Sequence, residues 1–125
     1  MTDIDRTILI VEDDELLRDA FRLLLEDAGY QVLEAGTADE AIALAQDRLP
    51  ALMVLDLGLP DRPGLEVVRT LRRDPALIDI PVVALTGRVG EAEKRACLDA
   101  GCDRYLAKPV SPRELLRELP ELLRR

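Results

Sequence analysis

The sequence predicts a doubly wound α/β fold, in which helices cover both faces of a parallel sheet. Three observations support this prediction. Short continuous apolar runs recur along the chain, amphipathic helical patterns lie between them, and the two kinds of segment alternate five times. Continuous apolar runs are typical of strands covered on both faces. Short connections between parallel strands then require right-handed crossovers, which place helices on both sides of the sheet.

The predicted strands are five apolar segments. Four of them are continuous, namely residues 8–11, 52–55, 82–85 and, more weakly, 105–107. The fifth, residues 31–35, is interrupted by the polar side chains of Gln31 and Glu34, which indicates a strand at an edge of the sheet.

The first two helices are predicted from apolar spacing and from their end signals. Residues 17–28 place their apolar side chains on one face, and Gly29 ends that helix. Thr37, with Glu40 three positions on, is typical of a capping box before a helix with an alanine-rich stripe.

Three more helices are predicted in the second half of the chain. One runs from about residue 64 to 73, and the next from about 91 to 100 with Gly101 as its C-terminal stop. The last begins after Ser111, where Pro112 and Glu114 complete a capping box. Pro120 lies inside that helix and loses an amide hydrogen bond there, so we predict a kink or an end near residue 119.

Length and composition predict one domain over residues 1–125. With 48% hydrophobic and 34% charged residues, the chain fits a single core. No apolar run approaches the roughly 20 residues that a membrane helix needs, and the start MTDIDR lacks the pattern of a secretory signal. We therefore expect a cytoplasmic protein without membrane contact, in which Cys97 and Cys102 are reduced.

The charge balance limits the partners and the chemistry. Seventeen Lys and Arg against 25 Asp and Glu give a net charge of −8. This charge repels phosphate backbones and disfavours direct nucleic-acid binding. The sequence has no His, which removes imidazole metal sites and the commonest general base.

The residues with chemical function follow the predicted strands at their carboxyl ends. They are Glu12, Asp13 and Asp14 after the first strand, Asp56 after the third, Thr86 after the fourth, and Lys108 with Pro109 after the fifth. In an open α/β sheet these ends converge on one crevice. The sequence therefore brings carboxylates, a hydroxyl and an ammonium group to the same edge.

Clustered carboxylates repel one another unless they share a cation, and hard oxygen ligands around an open site fit Mg²⁺. Asp56 ends a buried apolar strand, where an unpaired charge is costly. A carboxylate beside a divalent cation can attack phosphorus and form an acyl phosphate. Lys108 would then neutralise one phosphoryl oxygen and Thr86 would donate a hydrogen bond to another.

These residues also have simpler interpretations. The triplet Asp13, Asp14 and Glu15 can complement the positive N-terminus of the first helix. Taken singly, Lys108 is an ordinary solvated lysine and Thr86 a strand-end hydroxyl bonded to backbone. Their shared position at strand ends makes the set specific.

Four motifs in this order give the chain a family resemblance. They are ILIVEDD at 8–14, LMVLDLGLPDRPG at 52–64, VVALTG at 82–87 and DRYLAKP at 103–109. Over essentially its whole length the chain resembles a response-regulator receiver domain of bacterial two-component signalling, similar to the chemotaxis regulator. The resemblance implies a flavodoxin-like fold with five helices and strand order 2-1-3-4-5.

The resemblance assigns roles to the acidic residues. Asp56 matches the phosphorylated residue. Glu12 and Asp13 match the acidic pair that holds Mg²⁺ with Asp56, and Gly58 matches the position whose backbone carbonyl completes the coordination. Asp14 matches a position outside the metal site.

The resemblance also assigns the switching residues. Thr86 and Lys108 match the phosphoryl-sensing side chains, and Tyr105 matches the aromatic switch that turns inward with the hydroxyl; its simpler interpretation is an ordinary core tyrosine with a wet hydroxyl. Lys108 and Pro109 match a peptide bond that is cis in the family. Gly87 stands where Ala is usual, which leaves phosphoryl access open. Gly58 and Arg88 occupy positions that influence the lifetime of the acyl phosphate.

The implied function is a phosphorylation-dependent switch and not an enzyme with turnover. A phosphohistidine on a sensor histidine kinase or a histidine phosphotransfer protein donates its phosphoryl group to Asp56 with Mg²⁺ as cofactor. The face built from the fourth helix, fifth strand and fifth helix then rearranges toward a downstream protein or output domain. The sequence leaves the kinase, the target and homodimer formation open.

Two other functions remain open at this point. One is an aspartyl phosphatase similar to haloacid-dehalogenase enzymes, which need a second Asp where this chain has Gly58. The other is a receiver fold used only as a protein-binding module, with an idle phosphorylation site.

Overall fold

The computed structural model describes residues 6–124, which form ten alternating elements. These are β1 (Thr7–Val11), α1 (Glu15–Asp27), β2 (Gln31–Ala35), α2 (Ala38–Arg48), β3 (Leu52–Asp56), α3 (Gly64–Arg73), β4 (Val82–Thr86), α4 (Glu91–Ala100), β5 (Arg104–Ala107) and α5 (Pro112–Leu123). The predicted strands and helices are confirmed, and their bounds differ from the prediction by at most two residues except at the end of α5.

The five strands form one parallel sheet in the order β2-β1-β3-β4-β5. This confirms the doubly wound fold and the strand order that the resemblance implied. Every residue of β3 and β4 is buried, whereas Gln31 and Glu34 of β2 are exposed, as predicted for an edge strand. All strands run in one direction, so their carboxyl ends lie at one edge of the sheet.

Alternate residues of the central strands contribute to two separate apolar clusters, one on each face of the sheet. On one face Leu9, Met53 and Ala84 pack with buried residues of α2, α3 and α4. On the other face Ile8, Val54 and Leu85 pack with α1 and α5; the helix residues there include Phe21, Leu25, Leu115, Leu119 and Leu122. The sheet is therefore covered on both sides, as its continuous apolar strands require.

Helices α2 and α5 begin at the predicted capping residues, and α4 ends at the predicted Gly101. Asp14 caps α1, Thr37 caps α2, and Ser111 forms a full capping box with Glu114 at the start of α5. At α2 the carboxylate of Glu40 accepts from the amide of Gly36 at 2.9 Å, one residue before the cap.

The prediction that the last helix ends near residue 119 is wrong. Helix α5 continues through Pro120 to Leu123. Pro120 is exposed, while Leu119 and Leu122 on either side of it are buried against the sheet. Burying a leucine is worth about 1.5–3 kcal/mol, which offsets the roughly 3 kcal/mol cost of proline in a helix. A kink at this position stays a prediction.

The structure also bears on the membrane and cysteine expectations. Within residues 6–124, none of the helices combines the length and the apolar character that a membrane crossing requires. Cys97 and Cys102 are both buried as free thiols, and Cys97 lies in α4. Burial raises the pKa of the Cys102 thiol to about 12, so this thiol stays protonated and unreactive at neutral pH.

Candidate functional site

A cleft of about 820 Å³ opens at the carboxyl edge of the sheet. It is lined by residues that follow β1, β3, β4 and β5, among them Glu12, Asp13, Asp56, Gly58, Thr86, Gly87, Arg88 and Lys108. The fold therefore brings the acidic residues, the hydroxyl and the lysine together, although they lie far apart in the sequence. Tyr105 is not part of this lining, but its hydroxyl donates a hydrogen bond to the carbonyl of Arg88, which is.

The carboxylates of Glu12, Asp13 and Asp56 form an acidic cluster. One oxygen from each lies within 4.8 Å of the others. Glu12 and Asp56 are buried, with 2% and 3% of their surface exposed, and Asp13 is exposed. The three residues leave β1 and β3, which are neighbours in the sheet. Two buried carboxylates and one solvent-facing carboxylate thus share one corner of the cleft.

The two oxygens of Glu12 have different surroundings. Oε2 accepts a hydrogen bond from the amide of Asp14 at 3.1 Å. Oε1 is buried and has no hydrogen-bond partner within residues 6–124, and the ammonium of Lys108 is 3.8 Å from it. An unpaired buried carboxylate oxygen is costly. A divalent cation held by this cluster would satisfy that oxygen, so the residues fit such an ion.

Burial raises the pKa of Glu12 from its ordinary value of 4.5 to about 7. The hydrogen bond from the amide of Asp14 and the charge of Lys108 lower this pKa, while the charges of Asp56 and Asp13 raise it. The raising effects of desolvation and of the neighbouring carboxylates exceed the lowering effects, because the Glu12 side chain is almost fully buried. Without a cation, Glu12 therefore binds a proton in the neutral pH range.

Lys108 is the cation that pairs with the buried carboxylates of the cluster. Its ammonium nitrogen lies 2.8 Å from Oδ1 of Asp56. Burial lowers the pKa of Lys108, but the hydrogen bond and charge of Asp56, with smaller contributions from Glu12 and Asp13, raise it above 10.5. Lys108 follows β5 directly, and its peptide bond to Pro109 is cis. The lysine stays charged and partly neutralises the Asp56 carboxylate.

Asp56 has a second contact in the loop that follows β3. The amide of Gly58 donates to the same oxygen, Oδ1, at 3.1 Å. A Cβ added to Gly58 would approach no atom closer than 3.8 Å, and one added to Gly87 would meet no atom within 4 Å. An added side chain at either glycine would therefore meet no steric clash, and neither the ammonium nor the amide occupies Oδ2.

Thr86 and Tyr105 both bond to the backbone of Arg88. The amide of Arg88 donates to Oγ1 of Thr86 at 3.0 Å, and the hydroxyl of Tyr105 donates to the carbonyl of Arg88 at 2.8 Å. Thr86 is buried and Tyr105 is half-buried. In this conformation Thr86 is a strand-end hydroxyl bonded to backbone, and one residue of the β4–α4 loop links it to Tyr105.

Asp14 contributes to the helix and not to the cluster. Its Oδ1 accepts from the amides of Leu16 and Leu17 at 3.0 and 3.3 Å, which caps α1. The structural interpretation of the acidic triplet is therefore correct for this residue, while Asp13 joins the acidic cluster.

Sequence reasoning missed Asp61, which holds the loop beside the site. Its carboxylate accepts from the amides of Ala38 and Asp39 at 2.8 and 3.1 Å. Asp61 lies in a turn-like stretch, PDRPG, so its sequence context suggested only a turn. Its partners are 23 and 22 positions away, a contact that no local pattern reveals.

The fold and the cleft define a class: a doubly wound domain with an acidic cluster and a lysine at the carboxyl edge of its sheet. The family model of the response regulator receiver domain matches residues 8–120. The chain therefore belongs to the response regulator receiver family of two-component signalling, whose members are phospho-accepting signalling domains.

Relatives support the assignment. The chain is 43% identical over 122 residues to the phosphate regulon transcriptional regulatory protein PhoB of Pseudomonas aeruginosa, covering 98% of this chain and 53% of that protein. It is 45% identical over 118 residues to the KDP operon transcriptional regulatory protein KdpE of Escherichia coli, covering 94% and 51%. The chain thus spans about half the length of these two regulators.

Solved structures agree with the fold. A CheY-like response regulator receiver domain protein from Methanospirillum hungatei superposes with a TM-score of 0.87 at 34% identity, covering 95% of this chain and 94% of that one. The chemotaxis response regulator CheY4 of Vibrio cholerae gives a TM-score of 0.87 at 29% identity, covering 93% and 97%.

Proposed function

We propose that this domain is a phosphorylation-dependent switch in which Asp56 accepts a phosphoryl group from a partner phosphohistidine. The observation that carries the proposal is the contact of 2.8 Å between the Lys108 ammonium and Asp56 beside a buried acidic cluster. In the transfer, a carboxylate oxygen of Asp56 forms a bond to phosphorus and the bond from phosphorus to the histidine nitrogen breaks. The electron pair of the broken bond stays on that nitrogen.

The chain's own residues account for charge and access. Lys108 offsets negative charge on the phosphoryl oxygens, as preorganised cations do in phosphoryl transfer. Gly58 and Gly87 line the same cleft as Asp56 and have no side chains to fill it. These 125 residues contain no His, so the donor histidine lies outside this domain. We propose a sensor kinase or a histidine phosphotransfer protein as its source.

A divalent cation fits the carboxylates of Glu12, Asp13 and Asp56, and we assign it as Mg²⁺ because all of these ligands are hard oxygens. The backbone carbonyl of Gly58, which lines the same cleft, is proposed as a further ligand. When bound, Mg²⁺ supplies positive charge that lowers the repulsion between the acceptor and the phosphoryl group.

We propose that phosphorylation of Asp56 changes the position of Tyr105 through the backbone of Arg88. The Arg88 amide donates to Oγ1 of Thr86. The Thr86 hydroxyl therefore has to break this hydrogen bond before it turns to a phosphoryl oxygen. Release frees the segment to which the Tyr105 hydroxyl is bonded and lets Tyr105 turn inward. The face formed by α4, β5 and α5 would then present a different surface to a downstream protein or output domain.

The direct test is phosphorylation by acetyl phosphate with Mg²⁺, followed by intact mass. We expect one phosphate-sized mass increase, its loss in Asp56→Asn, and no loss in Asp74→Asn. Asp74 is a suitable control because it caps a turn at the amide of Ala76, outside the cleft. If neither acetyl phosphate nor a cognate kinase produces the increase, the proposal is wrong.

Three further measurements, of phosphate release, partner affinity and oligomeric size, separate two other functions. Sustained release of phosphate from small phosphoesters would favour an aspartyl phosphatase, although Gly58 occupies the position where such an enzyme needs an acid. Phosphorylation without any change in partner affinity or oligomeric size would favour an idle binding module. Size measured before and after phosphorylation also tests homodimer formation.

A further inference from the structure

The loop that follows β3, residues 57–63, is closed at its base. The amide of Gly64 donates to the carbonyl of Leu57 at 3.0 Å. The two backbones also touch, since a Cβ added to Gly64 would lie 2.6 Å from Cα of Leu57 and 3.0 Å from the carbonyl oxygen of Asp56. A loop closed this tightly has few conformations, and its remaining freedom lies toward its tip.

The tip of the loop is held by Asp61. Its Oδ1 accepts from the amide of Ala38 at 2.8 Å and its Oδ2 from the amide of Asp39 at 3.1 Å. These amides belong to the first turn of α2, where backbone donors have no partner within the helix. One carboxylate thus satisfies two such donors from another segment of the chain.

Charge supports the same contact. The amide of Ala38 lowers the pKa of Asp61 below its ordinary 3.8; burial opposes this effect and the amide of Asp39 adds to it. The positive end of the α2 dipole also favours a carboxylate at this place. Asp61 therefore stays ionised and bound to α2 over the neutral pH range.

A second link lies beside the first but is weaker. Arg62 pairs with Asp39 on α2, and more distantly with Glu66 on α3. The Asp39 side chain is 78% exposed, so solvent screens this pair and it contributes little. Of the two links between the loop and α2, the carboxylate of Asp61 is the stronger.

Gly58 lies between these two fixed points. It is one residue from the closed base, and its amide donates to Asp56 at 3.1 Å. Without the Asp61 contact, the segment that contains Gly58 would lose two backbone hydrogen bonds to α2. It would keep the packing of Leu59 against the core and the solvent-exposed pair of Arg62 with Asp39. The position of the Gly58 backbone therefore depends on a contact made three residues further along the loop.

We propose that Asp61 is a positioning residue for the metal site, which holds the Gly58 backbone in place by bonding the β3–α3 loop to the N-terminus of α2. The proposal rests on the proposed function, because it takes the Gly58 carbonyl as a ligand of the divalent cation. It adds a residue outside the cleft to the determinants of cation affinity.

The test compares divalent-ion affinity in variants of the same helix end. Mn²⁺ is the probe, because it takes similar oxygen ligands and its free concentration is measured by electron paramagnetic resonance. For Asp61→Ala we expect about tenfold weaker Mn²⁺ binding, the size typical of losing a residue that orients a ligand. For Asp61→Asn, which keeps one acceptor oxygen, we expect an intermediate affinity.

Thr37→Ala is the matched control. Thr37 accepts from the amide of Glu40 at 3.1 Å, so this variant also removes a cap from α2 but leaves the loop attached. Similar thermal destabilisation of Thr37→Ala and Asp61→Ala, with weaker Mn²⁺ binding only in Asp61→Ala, supports positioning. With acetyl phosphate, Asp61→Ala should need about tenfold more Mg²⁺ for half-maximal rate and regain the wild-type rate at saturation.

The outcomes separate this inference from the proposed function. Wild-type Mn²⁺ affinity in Asp61→Ala overturns the positioning role alone, since the metal site would then be intact without the link. Equal weakening in Thr37→Ala and Asp61→Ala also overturns it, because generic loss of helix stability would explain both. Failure of the wild-type protein to bind Mn²⁺ at the cleft would overturn the proposed metal site and this inference together.

Discussion

The two loops that border the cleft are held in different ways. The β3–α3 loop is closed at its base by Gly64 and bonded at its tip to α2 through Asp61. The β4–α4 loop, residues 87–90, is held at Arg88 by the hydroxyls of Thr86 and Tyr105. It ends at Gly90, which has a φ of 127° and caps α4 without a side-chain hydrogen bond.

The difference matches two tasks. Ligands of a cation and an acceptor carboxylate function best when they are fixed before the reaction. A loop that reports the reaction needs two conformations separated by a small free energy. In this domain the fixed loop adjoins the acidic cluster and the weakly held loop adjoins Tyr105. Under the proposed function, the cleft thus joins a preorganised half to a switchable half.

The largest expected effect comes from comparing an added methyl group at the β3–α3 loop with one at the β4–α4 loop. Gly64→Ala places a Cβ 2.6 Å from Cα of Leu57. This Cα is a backbone atom, so the main chain has to shift to relieve the contact. We expect a loss of about 3 kcal/mol in the free energy of unfolding, at the upper end for overpacking. Gly87→Ala meets no atom within 4 Å and should change the free energy of unfolding by less than about 0.5 kcal/mol.

Urea unfolding of the two alanine variants measures this contrast. A Gly64→Ala protein as stable as the wild type would show that the β3–α3 loop can move aside at little cost. The distinction between a fixed loop and a weakly held loop would then be wrong.

A smaller effect on stability is expected from a change of pH, which acts through Glu12 in the fixed half of the cleft. Its pKa is about 7 in the folded protein and near 4.5 when exposed. Between these values the folded chain retains a proton that the unfolded chain has lost, so stability falls as pH rises through this window and levels off above it. Without divalent ions we expect the ionisation of Glu12 to lower the free energy of unfolding by about 2.5 kcal/mol between pH 5 and pH 8.

Glu12→Gln isolates that contribution. In urea unfolding from pH 5 to pH 8 without divalent ions, the wild type should lose stability relative to Glu12→Gln. Added Mg²⁺ should stabilise the wild type more at pH 8 than at pH 5, since the cation competes with the proton for the carboxylate. A constant difference between the two proteins across this range would contradict the raised pKa.

The sequence predicted the sheet and the members of the acidic cluster, because both follow from local patterns. Continuous apolar runs marked the strands, and polar residues directly after them had to meet at one edge once the strands were parallel. The caps at Thr37 and Ser111 were predictable for the same reason, since a cap and its helix are adjacent in the chain.

Contacts between distant segments were not predictable in this way. Asp61 looks like a turn residue until α2 is placed beside it. Gly64 looks like an ordinary first residue of α3 until Leu57 is found against it. Pro120 misled because the local rule for proline omits the burial of Leu122 on the next turn. The pKa of Glu12 likewise depends on its burial under the cleft.

The smallest expected effect tests the weakly held loop directly. Tyr105→Phe keeps the ring and removes the hydroxyl that donates to the Arg88 carbonyl. One such hydrogen bond is worth about 1 kcal/mol, which corresponds to roughly fivefold in a local opening equilibrium. We expect hydrogen exchange of the Arg88 amide, followed by NMR, to accelerate by about that factor while the Gly58 amide is unchanged.

Tyr30→Phe is the control for this comparison, because Tyr30 lies directly before β2 and outside the cleft, with its ring 4.5 Å from the Arg6 guanidinium. It should alter neither amide. Equal acceleration at Gly58 and Arg88 in Tyr105→Phe would mean that the two halves of the cleft open as one unit. Tyr105 would then stabilise the acceptor site itself, and the division of the cleft into a fixed half and a switchable half would have to be given up.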